Sequence, residues 1–253
     1  MITPRFYGFD IETKPRPDLV ERFAKPYPDF DEAAIKCGNL GPDKAAAKIA
    51  QARLDHEADR ASYWANLKDR AALDPFTAEV LCIGVISDTG EPEIFAEKTE
   101  EATLRQFWNL VGLSENATSK FVFWAGGGDP YKNFDLDFLV TRSRIRHVPI
   151  PSRVRNGRYY SDRFVNLSGE FLLHQREKYL SLSKAADLLD LYVAGGPIWP
   201  KRDDDPVTGA NFWQWWEGTA HTDVPANEQR AYAVQYLHND TRHLQLLAPI
   251  ILT

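Results

Sequence analysis

The sequence predicts an α/β fold, because short apolar runs typical of buried strands alternate with stretches of helical periodicity. Residues 79–87 form the clearest strand, a continuous apolar run that suits burial on both faces of a sheet. The clearest helix follows Thr99, where Leu104, Phe107 and Trp108 recur at the spacing of one helical face. With 253 residues, the chain is long enough to bury a substantial core.

Composition narrows the class of protein further. The chain carries only two cysteines, Cys37 and Cys82, which form neither a disulfide framework nor a zinc site, so a cytoplasmic location is expected. The N-terminus lacks a signal-peptide pattern, and no apolar run is long enough to cross a membrane, so no membrane partner is expected. A net charge of −6 disfavours a broad basic face that coats a duplex, but it allows a local basic patch beside metal ions.

The first predicted strand carries two acids at its far end; residues 7–13 read Tyr-Gly-Phe-Asp-Ile-Glu-Thr. Side chains alternate between faces along a strand, so Asp10 and Glu12 point to one face and Ile11 to the other. Two adjacent carboxylates repel each other unless a cation lies between them, and hard oxygen ligands suit Mg²⁺ or Mn²⁺. The alternative is a strand end with two solvated acids.

Residues 18–75 are predicted to form a helical insertion between the first two strands. From Asp43 to about Leu73 the sequence is rich in Ala, Lys, Arg, Asp and Glu, which predicts one long helix or two, with Asp43 a candidate cap. The insertion is either a lid over a substrate or a helix packed on the outside of the fold.

Three further strands complete the predicted sheet. Residues 93–96 follow a turn after the second strand, residues 120–125 form another apolar strand, and residues 159–167 form the last one. Between the last two, the triplet 133–135, Asn-Phe-Asp, opens a helix. Free amides and the helix dipole favour such residues at a helix start, so this triplet alone indicates no function.

The most basic region spans residues 142–163 and contains seven arginines: Arg142, Arg144, Arg146, Arg153, Arg155, Arg158 and Arg163. Arginine binds phosphate in a bidentate fork, and the neighbouring Tyr159 and Tyr160 are suited to stacking on unpaired bases. The region either grips a single strand or forms a solvated helix end with a polar loop.

The C-terminal part is predicted to be helical. Ser181 caps an amphipathic helix, and the aromatic cluster at residues 211–216 is interpreted mainly as core.

A final helix is predicted to begin around residues 225–228. Tyr236 and Asp240 are four residues apart and share one face of it. Tyr232 extends that stripe by one turn and is interpreted as core.

Three motifs occur in order: Asp-Ile-Glu at 10–12, Asn-Phe-Asp at 133–135 and Tyr-x-x-x-Asp at 236–240. This ordered set resembles the DEDD superfamily of 3′–5′ exonucleases, in the subgroup that uses tyrosine. More narrowly, it resembles the stand-alone exonucleases related to the proofreading domain of family B DNA polymerases. The resemblance implies a ribonuclease H-like fold, with a central mixed five-stranded sheet flanked by helices. We expect one domain over 1–253, with 18–75 as its helical insertion.

The resemblance also implies the site. The four expected metal ligands, which would hold two Mg²⁺ or Mn²⁺ ions, are Asp10, Glu12, Asp135 and Asp240. Asp137 is the alternative to Asp135, but the spacing of the family motif selects Asp135.

Tyr236 completes the expected catalytic set by orienting the attacking water. Its ordinary pKa near 10 makes it a poor general base on its own. Three residues are expected to bind substrate: Ile11, Thr13 and Asn133.

The implied activity is hydrolysis of phosphodiester bonds from the 3′ end of single-stranded nucleic acid, with DNA favoured, releasing nucleoside 5′-monophosphates. Replication or repair proteins are candidate partners. The alternatives are an exoribonuclease with the same chemistry and a catalytically inactive module that binds nucleic acid. A faint likeness of residues 10–13 to haloacid dehalogenase-type phosphatases leaves the other two motifs unexplained.

Overall fold

The computed structural model describes residues 6–113, 119–125, 133–152, 154–156, 159–175, 178–189, 191 and 205–252. They form two compact units. The first contains the described parts of Met1–Lys14 and Glu79–Thr253, and the second is Pro15–Ala78.

The strands, in chain order, are β1 (Phe6–Pro15), β2 (Ala78–Ser87), β3 (Glu93–Phe95), β4 (Lys120–Phe123), β5 (Arg155–Asn156), β6 (Tyr159–Tyr160) and β7 (Phe164–Asn166). The helices are α1 (Pro17–Phe23), α2 (Pro42–Ala71), α3 (Glu100–Leu113), α4 (Phe134–Ile145), α5 (Leu167–Phe171), α6 (Leu182–Leu188), α7 (Phe212–Glu217) and α8 (Ala226–Ile251). Across the described ranges, no helix is both long and apolar enough to cross a membrane.

The first unit is built on a mixed sheet of five strands, in the order β3-β2-β1-β4-β7. The β2–β3 pair is antiparallel, whereas β4 pairs in parallel with both β1 and β7. This arrangement confirms the predicted α/β class and the mixed five-stranded sheet. The helical segment between the first two strands is also confirmed.

Side-chain alternation along β1 separates the two faces of the sheet. Phe9 is fully buried on one face, where its ring centre lies 5.1 Å from that of Phe107 on α3 and 5.3 Å from that of Phe123 on β4. Gly8, on the other face, lies against Leu244 of α8. The sheet is therefore enclosed by α3 on one side and by α8 on the other.

The α3–α4 side contains a buried ion pair that the sequence did not predict. Glu100 is 8% exposed, and both of its oxygens accept hydrogen bonds of 2.7 Å from Arg142, which is 1% exposed. Arg146 donates to Glu100 at 2.6 Å, and the Val80 amide donates at 2.9 Å. Arg142 and Arg146 therefore stabilise the fold, which argues against the predicted substrate grip at these two positions.

The prediction of one continuous last strand over 159–167 is wrong. β6 pairs with β5 in a separate antiparallel hairpin, and only β7 joins the main sheet. In the β5–β6 hairpin the Ser161 amide donates to the Val154 carbonyl at 3.0 Å, and the chain then turns where the Phe164 amide donates to the Ser161 carbonyl at 2.9 Å. Arg163 donates to the Ser119 carbonyl at 3.3 Å. Arg153 and Arg158 lie outside the described residues.

The aromatic cluster is mainly core, as predicted, because Phe212 and Trp215 of α7 are 0% and 3% exposed and pack with α8. Ser181 caps α6 as predicted, since its side chain accepts from the Lys184 amide at 3.3 Å. The core interpretation of Tyr232 is wrong, because this side chain is 43% exposed and only flanks Trp215.

The second unit is organised on α2, which is a single helix of 30 residues. Gly41, rather than Asp43, is its N-cap, and proline follows at the first helical position, where a missing amide donor costs little. The segment before α2 is held along it by side chains. The Tyr63 hydroxyl donates to the Lys25 carbonyl at 2.7 Å, and His56 Nε2 lies 3.0 Å from the Pro28 carbonyl.

Candidate metal centre

Two glycines bring the last helix against the sheet. A Cβ at Gly8 of β1 would lie 2.9 Å from Leu244 Cβ, and a Cβ at Gly84 of β2 would lie 2.7 Å from Thr241 Cγ2. Both distances are too short for real carbon atoms, so α8 packs at a separation that only glycine permits. This close packing places Asp240 of α8 beside the acids of β1.

Three carboxylates meet where α8 crosses β1. Asp10, Glu12 and Asp240 each have an oxygen within 4.8 Å of an oxygen of the other two. Glu12 and Asp240 are 6% and 5% exposed, and Asp10 is half-buried. Strand alternation predicted that Asp10 and Glu12 share a face, and close helix packing adds Asp240 to them.

The fourth predicted acid, Asp135, lies beside this cluster, but its carboxylate does not belong to the group of three that converge. Its side chain is buried in the first turn of α4, and its Oδ2 has no hydrogen-bond partner in the described part of the chain. Burial raises the pKa of Asp135 well above its ordinary range, and the charge of Asp10 raises it further. Asp135 therefore faces the acids of β1.

The alternative acid, Asp137, has a different role. The Tyr160 hydroxyl donates a very short hydrogen bond to Asp137 Oδ1. Burial and this bond together raise the pKa of Tyr160. Asp137 thus ties the β5–β6 hairpin to α4, while Asp135 points to the cluster.

Tyr236 lies one helical turn before Asp240, and its hydroxyl forms a hydrogen bond with that carboxylate. Burial raises the pKa of Tyr236, and the charges of Asp240, Glu12 and Asp10 raise it further, so the phenol stays protonated at neutral pH. A Cβ at Gly209 would lie 3.7 Å from the Tyr236 hydroxyl oxygen. The loop before α7 therefore passes close to this hydroxyl without covering it with a side chain.

Two of the three residues predicted to bind substrate lie on β1, the strand of Asp10 and Glu12, and the third precedes α4. The side chains of Ile11 and Thr13 are 5% and 7% exposed, and by alternation they lie on the face of β1 opposite to the acids. Asn133 is the half-buried N-cap of α4, and its side chain does not cap the helix. Their contact with a substrate remains a prediction.

Sequence reasoning missed three residues of the site. Gly8 and Gly84 set the helix–sheet distance, and a glycine inside a strand pattern is a signal for close backbone approach. His243 is fully buried, with its Nδ1 3.8 Å from Asp240 Oδ1. Its spacing of three residues from Asp240 places both on one helix face, but a lone histidine in a helix gives no signal of its own.

The donor set suits a hard divalent cation. It consists of carboxylate oxygens, three of which converge, and a fourth carboxylate has a buried oxygen with no hydrogen-bond donor among the described residues. Such a set is typical of Mg²⁺ and Mn²⁺ sites, and a cation would remove the repulsion that raises the pKa of Asp135. The residues present therefore fit a divalent metal centre.

Comparison with known proteins agrees at the level of the fold. No protein-family model matches the sequence, and no curated protein is similar to it. The chain is similar in structure to the family B DNA polymerase of the hyperthermophilic archaeon Pyrobaculum calidifontis, with a TM-score of 0.53 and 16% sequence identity. The match covers 99% of this chain and 25% of the polymerase chain. Together with the mixed sheet, this likeness confirms the predicted ribonuclease H-like fold.

Proposed function

We propose that the chain is a metal-dependent 3′–5′ exonuclease that removes nucleotides from single-stranded nucleic acid, with DNA favoured over RNA. We infer further that it belongs with the tyrosine-using DEDD enzymes related to the proofreading domain of family B DNA polymerases. The observation that carries the proposal is the convergence of Asp10, Glu12 and Asp240 on a ribonuclease H-like sheet, beside Asp135 and Tyr236.

The four acids would hold two Mg²⁺ or Mn²⁺ ions. When bound, two such ions supply a water of lowered pKa and positive charge opposite the phosphodiester. The protein contributes the position of Asp240, because α8 packs against the sheet at Gly8 and Gly84 more closely than a side chain at either residue would allow. Asp240 thereby stays in register with Asp10 and Glu12.

Tyr236 orients the attacking water rather than deprotonating it. Its raised pKa keeps the proton on the phenolic oxygen, and that proton is donated to Asp240. The lone pairs of the same oxygen remain to accept a hydrogen bond from water. The Gly209 backbone lies close to this oxygen, and glycine places no side chain over it.

The test uses a 5′-labelled single-stranded DNA and its RNA counterpart, incubated with Mg²⁺, Mn²⁺ or EDTA. We expect a ladder that shortens from the 3′ end, is absent in EDTA and identifies the preferred sugar. Asp240→Asn abolishes it, and Tyr236→Phe slows it about a hundredfold, the order of loss expected when a reacting group is misplaced by about 1 Å. Asp187→Asn, on the exposed surface of α6, serves as the control and cleaves normally.

Two results would contradict the proposal. If both strands stay intact with either metal but are still bound, the chain is an inactive binding module. If Asp240→Asn cleaves at the normal rate, the metal site is wrongly assigned.

A further inference from the structure

An exposed arginine lies on an aromatic side chain near the candidate metal centre. The guanidinium carbon of Arg230, in the second turn of α8, is 4.2 Å from the centre of the Trp216 ring at the end of α7. An indole face is the most favourable aromatic surface for a guanidinium and restricts its rotamers. Arg230 is therefore held in place while its N–H edge remains open to solvent.

A continuous set of aromatic contacts connects this pair to Tyr236. The rings of Phe212 and Trp216 are stacked, with centres 5.7 Å apart and an interplanar angle of 23°. The Phe212 ring in turn lies 5.9 Å from that of Tyr236. Arg230 therefore lies at the outer end of a row of contacting aromatic side chains. Tyr236, at the inner end, forms a hydrogen bond with Asp240.

The strand that carries the acids also anchors α7. Lys14 lies two residues beyond Glu12 and therefore on the same face of β1. Its Nζ is 2.7 Å from Oε1 of Glu217, the residue after Trp216. The buried thiol of Cys82 lies close enough to Glu12, Asp10 and Arg230 for the charges of all three to affect its pKa. Arg230 and the acids of β1 therefore lie in the same region of the first unit.

The charge of Arg230 is not neutralised within the described part of the protein, where no acidic side chain pairs with it. Two buried or half-buried arginines of this unit differ in this respect. Arg142 is paired with Glu100, and Arg242, on the same helix as Arg230, is paired with Glu91.

We propose that Arg230 and Trp216 form a binding site for a phosphodiester upstream of the bond that is cut. The guanidinium edge binds the phosphate oxygens in a bidentate manner, and Trp216 is the positioning residue that holds the guanidinium. The inference rests on the proposed exonuclease function. It adds the expectation that the enzyme cleaves a longer single strand more efficiently than a dinucleotide, because only the longer strand reaches Arg230.

The experiment measures kcat/KM for a dinucleotide and for an eight-nucleotide single strand. Arg230→Gln leaves the dinucleotide rate within about twofold and lowers the rate on the longer strand about tenfold, the value of one charged hydrogen-bonded contact. Trp216→Leu gives a smaller loss with the same length dependence. The control is Arg22→Gln in the second unit, where the guanidinium also lies over an aromatic ring, 5.5 Å from Phe23.

A second readout does not depend on cleavage. The affinity for a labelled single strand is measured in EDTA by fluorescence anisotropy at several salt concentrations. The slope of log affinity against log salt concentration is expected to become shallower by about 0.7 in Arg230→Gln, the value of one phosphate contact on a single strand. An unchanged slope, or equal losses on short and long substrates, would overturn the phosphate site. If the wild-type protein cleaves nothing, the exonuclease proposal fails, and the salt slope still decides the binding site.

Discussion

In the described part of the chain, buried carboxylates lie in two places, and the two places differ in what surrounds the negative charge. Beside α4, Glu100 lies between Arg142 and Arg146. Burial alone would raise the pKa of Glu100, but hydrogen bonds from the two arginines and from the Val80 amide lower it. At the end of the same helix nearest β1, Asp135 lies beside Asp10, and both burial and that neighbour raise the pKa of Asp135.

The difference separates a charge that the protein balances itself from charges that, under the proposed function, metal ions would balance. A buried carboxylate between two guanidinium groups has its charge balanced by the protein itself. Acids gathered beside other acids are stable as anions only if positive charge comes from outside the chain. Under the proposed function, the first arrangement contributes to the stability of the fold, and the second gives up stability in order to hold cations.

The largest effect is expected from changing Asp135 to asparagine. The nuclease rate falls by about a thousandfold or more, since several kcal/mol of charge stabilisation are lost and each 1.36 kcal/mol is about tenfold. In EDTA, Asp135→Asn unfolds at the same or a higher urea concentration than the wild type, because the variant removes a buried carboxylate whose Oδ2 has no hydrogen-bond partner among the described residues. A large loss of stability in EDTA would show that the charge is structural.

Replacing the carboxylate of Glu100 by an amide has the opposite effect on stability. Glu100→Gln leaves Arg142 buried without its counter-charge, which costs about 3–5 kcal/mol of unfolding free energy. Urea unfolding followed by circular dichroism measures this loss. The control is Glu101→Gln on the same turn, where the carboxylate is 38% exposed and 3.6 Å from Arg146, and its loss stays under about 1 kcal/mol.

The position of α8 is tested by adding one methyl group to the sheet. Gly84→Ala forces a Cβ against Thr241 and Leu237, which costs about 1–3 kcal/mol and shifts Asp240 away from β1. Mn²⁺ affinity therefore falls together with stability. Gly112→Ala is the matched control, since a Cβ there meets nothing within 4 Å, and Mn²⁺ affinity is unchanged.

The smallest effect is a difference in pH dependence, measured as unfolding free energy in EDTA. The pKa of Glu100 is lowered by folding, so its contribution is present above its unfolded pKa of about 4.3 and is lost as pH falls through the folded pKa. The pKa of Asp135 is raised, so its contribution has the opposite sign and stability is gained as pH falls toward about 3.9.

Each contribution to this pH dependence disappears in one variant. In Glu100→Gln, the loss of unfolding free energy at acidic pH that comes from this carboxylate is absent. In Asp135→Asn, the gain of unfolding free energy as the pH falls is absent. Identical pH profiles for the wild type and both variants would contradict these assignments.

The sequence was informative where local rules decide geometry. Strand alternation placed Asp10 and Glu12 on one face, and helix periodicity placed Tyr236 one turn from Asp240. The apolar runs predicted the individual strands, and the resemblance to the exonuclease family implied that they form a mixed five-stranded sheet. These predictions needed no knowledge of which elements meet in space.

The rest depended on contacts between distant parts of the chain. Glu100 and Arg142 are 42 residues apart, and nothing in either local sequence indicates that they pair. The last strand was overestimated because the competing β5–β6 hairpin forms from residues that also read as strand. A glycine inside a strand signals a close approach, but only the structure shows that α8 is the element that approaches Gly84.

The most direct test of the central claim is to measure Mn²⁺ binding by electron paramagnetic resonance, with a nucleoside 5′-monophosphate present to complete the metal shell. The wild-type protein is expected to bind two ions, whereas Asp10→Asn loses Mn²⁺ binding, because Asp10 belongs to the three converging acids and also faces Asp135. Glu101→Gln should bind as the wild type does. Equal binding by Asp10→Asn and the wild type would contradict the assignment of these acids as a metal centre.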